Sequence, residues 1–305
     1  MRRVSIKGYG TALPAESITF GDQRRFRVAS SKEQLPLAVE ACQKALANAK
    51  LLITDIDCIV SASAVGIQPI PCTAALIHEQ IALGTHIPAL DINSTCTSFI
   101  TALDTISYLI EAERYQRVLI VSSEVGSQGL NPDQKESYEL FGDGAAAFII
   151  EKNQEDKGII DAIQATWSEG AHDTEIRGGL TSLPPEYFVA EKASDYQFDM
   201  KGRRILSLSA KKIPDLMAKL LTKNQMTIAD IDFAIPHQAS KALPLIMKKM
   251  GLCQDQYLDI VKDYGNMVSV SVPYALDNQM IHPGQTIALM GTAAGLTANI
   301  LLLKV

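Results

Sequence analysis

The sequence lacks the features that mark several classes of protein. Its 305 residues include 28 lysines and arginines against 34 aspartates and glutamates, and the net charge of −6 argues against nucleic-acid binding. No uninterrupted run of about 18 apolar residues predicts a membrane span. Val4–Lys7 is too short and too polar for the apolar part of a secretion signal. We therefore expect a cytoplasmic protein that binds neither membrane nor nucleic acid.

Cysteine and histidine are sparse, with five residues of each. The cysteine number is odd and no two cysteines have CxxC spacing, which favours a reducing compartment. No HxxxH or paired Cys/His spacing occurs, so no metal site is predicted. Four of the cysteines are expected to be packing residues: Cys42, Cys58, Cys72 and Cys253.

The chain contains an internal repeat. Thr54–Val60 resembles Ala229–Ile235, and the alignment matches Asp55 to Asp230. Each copy follows a helix-like segment and precedes a second strand-to-helix element and a closing apolar strand. Four elements in the same order predict a duplicated α/β unit, with halves at residues 1–155 and 156–305.

Short apolar runs predict the strands of this unit. They are Ile56–Ala62, Val118–Ser122, Phe233–Ile235 and Thr286–Met290, with another strand expected at Tyr257–Val261. Such runs are typical of strands buried on both faces of mostly parallel sheets covered by helices. Two such halves predict an α/β/α/β/α layered body. The polar segment 167–204 is expected to cross the surface near the active-site entrance.

Cys96 is the most informative cysteine. Ile87–Ile92 predicts a buried strand, and the apolar spacing from Phe99 to Ile110 predicts a helix, so Cys96 falls between them. Free backbone N–H groups and the helix dipole favour an anion at such a helix start. We therefore expect a nucleophile whose thiolate is stabilised.

Three further segments place polar or small residues near predicted strand ends. His237 follows the strand Phe233–Ile235, at the edge where open α/β sheets bind ligands. Asn266 heads a helix at the place that the repeat assigns to Cys96 in the first half. Gly291–Gly295 is expected to be a loop whose N–H groups approach a substrate carbonyl.

Together these residues indicate a cysteine nucleophile, two hydrogen-bonding partners and an oxyanion hole. A thiolate can take an acyl group from a thioester, and neutral imidazole and carboxamide donors can stabilise an enolate. An amide cannot act as a base, so Asn266 must act by hydrogen bonding. The set suits decarboxylation of a malonyl thioester and transfer of the carbanion to an acyl-cysteine.

The same segments resemble β-ketoacyl-ACP synthase III, a condensing enzyme of the thiolase-fold superfamily. They are the Cys96 region, Phe141–Ala145, Pro236–Ala239, Gly265 and Asn266 with Ser271–Pro273, and Gly295–Thr297. The resemblance implies a thiolase-like fold with Cys96 as acyl acceptor and His237 and Asn266 as decarboxylation partners. It implies an oxyanion hole from the backbone N–H groups of Cys96 and Ala294. It further implies a homodimer that uses acyl-CoA and malonyl thioesters and an acyl carrier protein, with no resident cofactor.

Other positions depart from the family and affect the expected substrate contacts. Lys135 stands where a family arginine contacts the coenzyme A nucleotide, and Ile70 where many members have a phenylalanine that closes the partner subunit's acyl pocket. Ser207 and Ala242 replace basic residues at the entrance. Nearby basic residues are expected to substitute for them: Arg203, Arg204, Lys211, Lys212 and Lys241. These departures favour a specialised relative outside housekeeping fatty-acid initiation.

Two alternatives remain open from the sequence. The same fold could pass the acyl group to an alcohol or amine, although relatives that do so often carry an acidic residue in place of the asparagine. The chain could also be a silent partner of an active homologue, although an intact set of Cys96, His237 and Asn266 argues against this.

Overall fold

The computed structural model describes residues 1–277 and 282–305. The strands of these residues are β1 (Val4–Ala12), β2 (Ser17–Phe20), β3 (Gln23–Phe26), β4 (Cys58–Ser61), β5 (Ala89–Asp91), β6 (Arg117–Glu124), β7 (Gly144–Lys152), β8 (Gly158–Thr166), β9 (Thr174–Glu175), β10 (Asp199–Met200), β11 (Phe233–Pro236), β12 (Thr286–Ala293) and β13 (Thr297–Lys304). The α-helices are α1 (Gln34–Ala49), α2 (Thr73–Ile81), α3 (Ser98–Glu111), α4 (Lys135–Tyr138), α5 (Gly202–Lys223), α6 (Leu243–Lys249), α7 (Val261–Tyr264) and α8 (Ser271–Asp277).

Two sheets repeat one topology. The first has the order β1-β7-β6-β4-β5 and the second the order β8-β13-β12-β11. In both, one parallel pair (β4 with β6, β11 with β12) is followed on the same side by two antiparallel pairs. The predicted duplication is therefore present. The sheets are mixed, however, because β6 and β7 are joined without a long crossover helix and pair antiparallel.

The sheets and helices form the predicted five layers. Along β6, Val118 and Ile120 point into a central core with α3 and α8, whereas Leu119 and Val121 point to the opposite side beneath α1 and α2. This alternation is the period of two expected for a strand covered on both faces. Helices α5 and α6 cover the outer face of the second sheet in a third core. The central core contains α3 from one half and α8 from the other, so the halves share it.

One predicted strand does not form. Tyr257–Val261 contributes a single parallel bridge between Tyr257 and Ala234, followed by α7. Its counterpart in the first half is β5, which is only three residues long and lies partly exposed at the sheet edge. The predicted buried strand at Ile87–Ile92 was therefore too long and too buried. β5 is an edge strand that pairs with one neighbouring strand and makes few hydrogen bonds. The equivalent segment of the second half can therefore be reduced to one bridge.

The segment 167–204 crosses the surface in short 3₁₀ turns and the two-residue strands β9 and β10. Arg177 fixes this segment by hydrogen bonds of 2.8–3.0 Å to three carboxylates, those of Glu175, Asp195 and Asp199. The predicted excursion is therefore ordered by a local charge network. Phe198 lies at its end, where its backbone N–H donates to Gly129.

The remaining sequence predictions concern cysteines, membranes and metals. Cys42 and Cys58 are buried and Cys72 is partly buried, but Cys253 is exposed, so its prediction as a packing residue was wrong. No helix among the described residues is long and apolar enough to cross a bilayer. Residues 1–277 and 282–305 also contain no cluster of three or more His, Cys, Asp or Glu side chains arranged for a metal ion.

Candidate active site

Cys96 lies in a tight 3₁₀ turn, Thr95–Thr97, directly before α3. Thr95 has φ of 53°, a conformation that costs free energy for a β-branched residue. Hydrogen bonds hold it: the Thr95 N–H donates to Asn93 Oδ1 (2.8 Å), and the Ser94 N–H donates to Ser98 Oγ (3.0 Å). Such strain beside Cys96 indicates a turn built to present one side chain.

The second half contains the same turn. The Val268 N–H donates to Asn266 Oδ1 (2.8 Å), the Met267 N–H donates to Ser271 Oγ (3.0 Å), and Val268 has φ of 52°. Because Ser98 and Ser271 accept equivalent hydrogen bonds, counting back from each of them pairs Cys96 with Ser269. The prediction that Asn266 takes the place of Cys96 was therefore wrong, because Asn266 corresponds to Asn93.

The backbone N–H groups of Cys96 and Ala294 both lie close enough to the Cys96 sulfur to lower the pKa of its thiol. Removal of the sulfur from water is nevertheless the largest effect, and it raises the pKa of the thiol to about 12. The charge of Glu124 also raises this pKa, whereas the two N–H groups lower it. The expectation of a stabilised resting thiolate was therefore wrong: the N–H groups are present, but burial and a carboxylate outweigh them.

Ala294 lies at the end of the second sheet. The expected loop Gly291–Gly295 is shorter than predicted, because β12 continues to Ala293 and the turn to β13 begins at Ala294. A Cβ on Gly291 would lie 2.9 Å from Thr97 Cγ2 and 3.6 Å from His237 Cβ. Residue 291 must therefore be small for β12 to fit between the cysteine turn and the histidine.

His237 follows β11 directly and is 4% exposed. Its N–H donates to Met290 O (2.7 Å), which ties it to β12. Gln238, fully buried, anchors the same segment by donating to Leu258 O (3.0 Å) and accepting from the Ile260 N–H (2.8 Å). Burial lowers the pKa of His237 to about 4, so the imidazole is neutral at pH 7. Its Nδ1 has no hydrogen-bond partner in the described part of the chain.

Asn266 is 6% exposed and joins the two halves. Its N–H donates to Leu140 O (2.9 Å), and the Gly142 N–H donates to Asn266 O (3.1 Å). Its Oδ1 accepts from the Val268 N–H, which orients the carboxamide and leaves the NH₂ group to donate. The preceding Gly265 has φ of 70°, and a Cβ there would overlap Leu140 O and the Arg25 guanidinium, so glycine is required.

Comparison with known proteins identifies the family of this chain. The family model of 3-oxoacyl-[acyl-carrier-protein] synthase III matches residues 90–167. The model of the C-terminal part of the same enzyme matches residues 221–305. Proteins named beta-ketoacyl-[acyl-carrier-protein] synthase III from Clostridium perfringens and Synechocystis are each 31% identical, covering 93% and 96% of this chain and 88% and 96% of their own lengths. The chain belongs to the β-ketoacyl-ACP synthase III family.

Solved structures show that the chain has the fold of this family. A 3-oxoacyl-ACP synthase III superposes with a TM-score of 0.92 at 23% identity, covering 99% of this chain and all of that one. The Aquifex aeolicus enzyme of the same name gives 0.87 at 22% identity, covering 99% of this chain and all of its own. The family's thiolase-like layered fold is thus the fold of this chain.

The residues that the sequence predicts as substrate contacts differ in their exposure and in their partners within the chain. Arg203 and Lys241 are exposed and make no ion pair among the described residues. Arg204 instead pairs with the buried Asp173 (2.8 Å), which engages its guanidinium within the chain. Lys135 is exposed and lies 3.6 Å from Glu139. Ile70 is 85% exposed, so its expected role in a partner subunit's pocket stays a prediction.

Sequence reasoning missed three residues around Cys96. Phe198 and Cys96 both pack against a small cluster that includes Phe141 and Val268, and the rings of Phe141 and Phe198 meet edge-on at 4.8 Å. This cluster forms an apolar wall beside the sulfur. Glu124, at the end of β6, and Ser269 are buried and hydrogen-bonded to each other. A carboxylate at the end of a strand with the apolar run Val118–Val121 was a usable signal for Glu124.

Proposed function

We propose that this chain catalyses the decarboxylative condensation of an acyl thioester with a malonyl thioester. The observation that carries the proposal is that two backbone N–H groups, those of Cys96 and Ala294, lie beside the Cys96 sulfur. Two convergent N–H donors form the kind of site that stabilises the oxyanion of acyl transfer. The names of the relatives in the comparison are those of condensing synthases, which supports the same chemistry.

In the first half-reaction, the Cys96 sulfur attacks the acyl carbonyl. A carbon–sulfur bond forms to Cys96, the bond to the carrier thiol breaks, and the Cys96 proton leaves with the departing thiol. Because the resting sulfur is protonated, this proton must move during the attack. The N–H groups of Cys96 and Ala294 stabilise the tetrahedral oxyanion. The acyl chain lies against the apolar wall formed by Phe141, Val268 and Phe198.

In the second half-reaction, the malonyl thioester loses carbon dioxide. Its carbon–carbon bond breaks, and the electron pair passes into an enolate whose oxygen accepts hydrogen bonds from His237 and the Asn266 NH₂ group. The neutral state of His237 suits this role, because a neutral imidazole can donate one hydrogen bond without prior protonation. The enolate carbon then attacks the acyl-cysteine, its carbon–sulfur bond breaks, and the β-ketoacyl thioester is released; the departing Cys96 thiolate takes up one proton from solvent to restore the thiol.

The experiment that tests the proposal follows both half-reactions in the same protein. We expect an acyl adduct on Cys96 after incubation with an acyl-CoA panel, and β-ketoacyl product with release of carbon dioxide after addition of a malonyl thioester. An adduct that is passed to an alcohol or amine without carbon dioxide release would instead support the acyltransferase. Folded protein that forms no adduct with any chain length would reject both reactions.

We further propose that an acyl carrier protein docks at the face formed by α5 and α6. Arg203, Lys211 and Lys241 are exposed there, near the cleft that leads to His237 and is lined by Ser240 and Leu243. Carrier proteins present acidic surfaces, and opposite charges speed and orient such encounters. The expected homodimer likewise stays a prediction.

Replacing Lys241 by glutamate is expected to raise the KM for malonyl carrier protein about three- to tenfold, because a favourable charge becomes a repulsive one. The KM for malonyl-CoA should change less than twofold. Steady-state kinetics with both donors measures this difference. Lys32→Glu is the matched control, because Lys32 lies in the 3₁₀ turn directly before α1, on the opposite outer layer. Equal effects on both donors would contradict a carrier-specific dock.

A further inference from the structure

Glu124 is a buried carboxyl group that the two half-reactions leave unused. It is the last residue of β6 and is 1% exposed. Its Oε1 accepts from the Ala64 N–H and from Ser269 Oγ, both at 2.5 Å. No lysine, arginine or histidine among residues 1–277 and 282–305 forms an ion pair with it. A buried carboxylate that lacks a cationic partner is costly, so its retention needs a reason.

Its partner Ser269 occupies the place of the nucleophile in the second turn. The Ser269 N–H corresponds to the Cys96 N–H of the oxyanion hole, and this N–H also stabilises the charged form of Glu124. In the first half, the turn offers its N–H group to the sulfur and the substrate. In the second half, the equivalent N–H faces a carboxylate supplied by the first half. Glu124 therefore supplies, from within the chain, the anion that accepts from the N–H group of the second turn.

A continuous set of hydrogen bonds runs through Glu124 from one turn to the other. Ser269 and Ala64 both donate to Glu124, and Asn93 Nδ2 donates to Ala64 O (2.8 Å). Asn93 Oδ1 accepts from the Thr95 N–H beside Cys96. Because Asn266 belongs to the same turn as Ser269, this network fixes the carboxamide relative to the cysteine.

The groups that the structure describes around Glu124 supply no positive charge to offset the effect of its carboxylate on Cys96. Residues 64 and 65 contribute only backbone N–H groups, the second turn contributes the hydroxyl and N–H of Ser269, and the first turn contributes the Cys96 thiol. Burial raises the pKa of Glu124 to about 7, and these hydrogen bonds lower it. The buried His237 is neutral at the same pH and supplies no compensating cation.

We propose that Glu124 is a positioning residue that locks the Asn266 turn to the Cys96 turn and whose negative charge acts on the Cys96 sulfur to keep it a thiol. The inference rests on the proposed function only in taking Cys96 as the nucleophile. It can be tested without any condensation activity.

The test is the pH dependence of Cys96 alkylation by iodoacetamide, read at the single site by peptide mass spectrometry without substrate. Glu124→Gln keeps an acceptor oxygen for Ala64 and Ser269 but removes the charge. We expect Cys96 of this variant to react about tenfold faster at pH 8, which corresponds to a thiol pKa lower by about one unit. Ser269→Ala keeps the carboxyl group but removes a hydrogen bond that lowers its pKa, so its alkylation should rise less than that of Glu124→Gln, while its malonyl decarboxylation should fall several-fold.

Wild-type protein provides a second readout if Glu124→Gln does not fold. A lone thiol with a high pKa reacts about tenfold faster for each added pH unit. Ionisation of Glu124 near pH 7 should flatten this slope between pH 6 and 8, because the two groups titrate as a coupled pair. An unchanged rate in a folded Glu124→Gln variant, or an unbroken tenfold slope in the wild type, would overturn the proposal. Loss of condensation with these alkylation results intact would count only against the proposed function.

Discussion

Serine in place of Cys96 is expected to abolish the acyl adduct and to lower condensation on the order of 1,000-fold or more. A serine hydroxyl is a far weaker nucleophile than a thiol near neutral pH. The protein should still fold, because the equivalent position of the second turn is already a serine, Ser269, in the same strained geometry. The variant therefore separates chemistry from structure.

Intact-mass spectrometry after incubation with acyl-CoA measures this loss, and thermal unfolding checks the fold. The matched control is Cys253→Ser, which changes an exposed thiol in a turn outside the site. It should retain both the adduct and the product. Acylation that persists in Cys96→Ser and disappears in Cys253→Ser would show that the nucleophile has been misassigned.

The duplication was predictable from sequence, but its register was not. The register set by Asp55 and Asp230 holds for the turns before β4 and β11, where the two carboxylates accept equivalent hydrogen bonds from the backbone N–H groups of Leu52 and Thr227. It shifts before the two strained turns are reached. Between these points, the first half builds β5 and the second half only one bridge at Tyr257. A gap inside a weakly paired edge strand leaves little sequence signal, so Asn266 was matched to Cys96 in error.

The sequence predicted the free N–H groups near Cys96 but not the raised pKa of its thiol. A helix start, with its free N–H groups, can be recognised from the strand and helix patterns on either side of Cys96. The raised thiol pKa depends on how deeply the sulfur is buried and on Glu124, which belongs to the strand after α3. Both are products of tertiary packing. The local sequence pattern therefore predicted the N–H donors at the helix start correctly. It did not predict that burial and Glu124 together raise the thiol pKa.

The apolar wall beside Cys96 also depends on packing that the sequence conceals. Phe198 belongs to a surface segment without periodicity, which predicted only an excursion. The segment returns to the site because the Phe198 N–H pairs with Gly129 O and because Gln134 binds Asp199 (2.7 Å). Such long-range polar contacts have no period or motif. The wall could be found only in three dimensions.

Replacing Asn266 by aspartate is expected to lower malonyl decarboxylation about 100- to 1,000-fold while leaving Cys96 acylation within about tenfold. The aspartate keeps an oxygen for the Val268 N–H, so the turn is retained. It loses the NH₂ donor and places a second acceptor, with a negative charge, where the enolate charge develops. The first half-reaction uses the N–H groups of Cys96 and Ala294 instead, and these are unchanged.

The expected signature is an acyl-enzyme that forms and then accumulates, because its second half-reaction is blocked. Single-turnover acylation followed by mass spectrometry, together with carbon dioxide release from a malonyl thioester, resolves the two steps. Asn153→Asp is the matched control, since Asn153 Oδ1 accepts from the Glu155 N–H in a turn of the same kind on the surface. Equal losses in acylation and decarboxylation would mean that Asn266 only maintains the turn. A selective loss of decarboxylation is the result expected if the amide donates to the malonyl substrate.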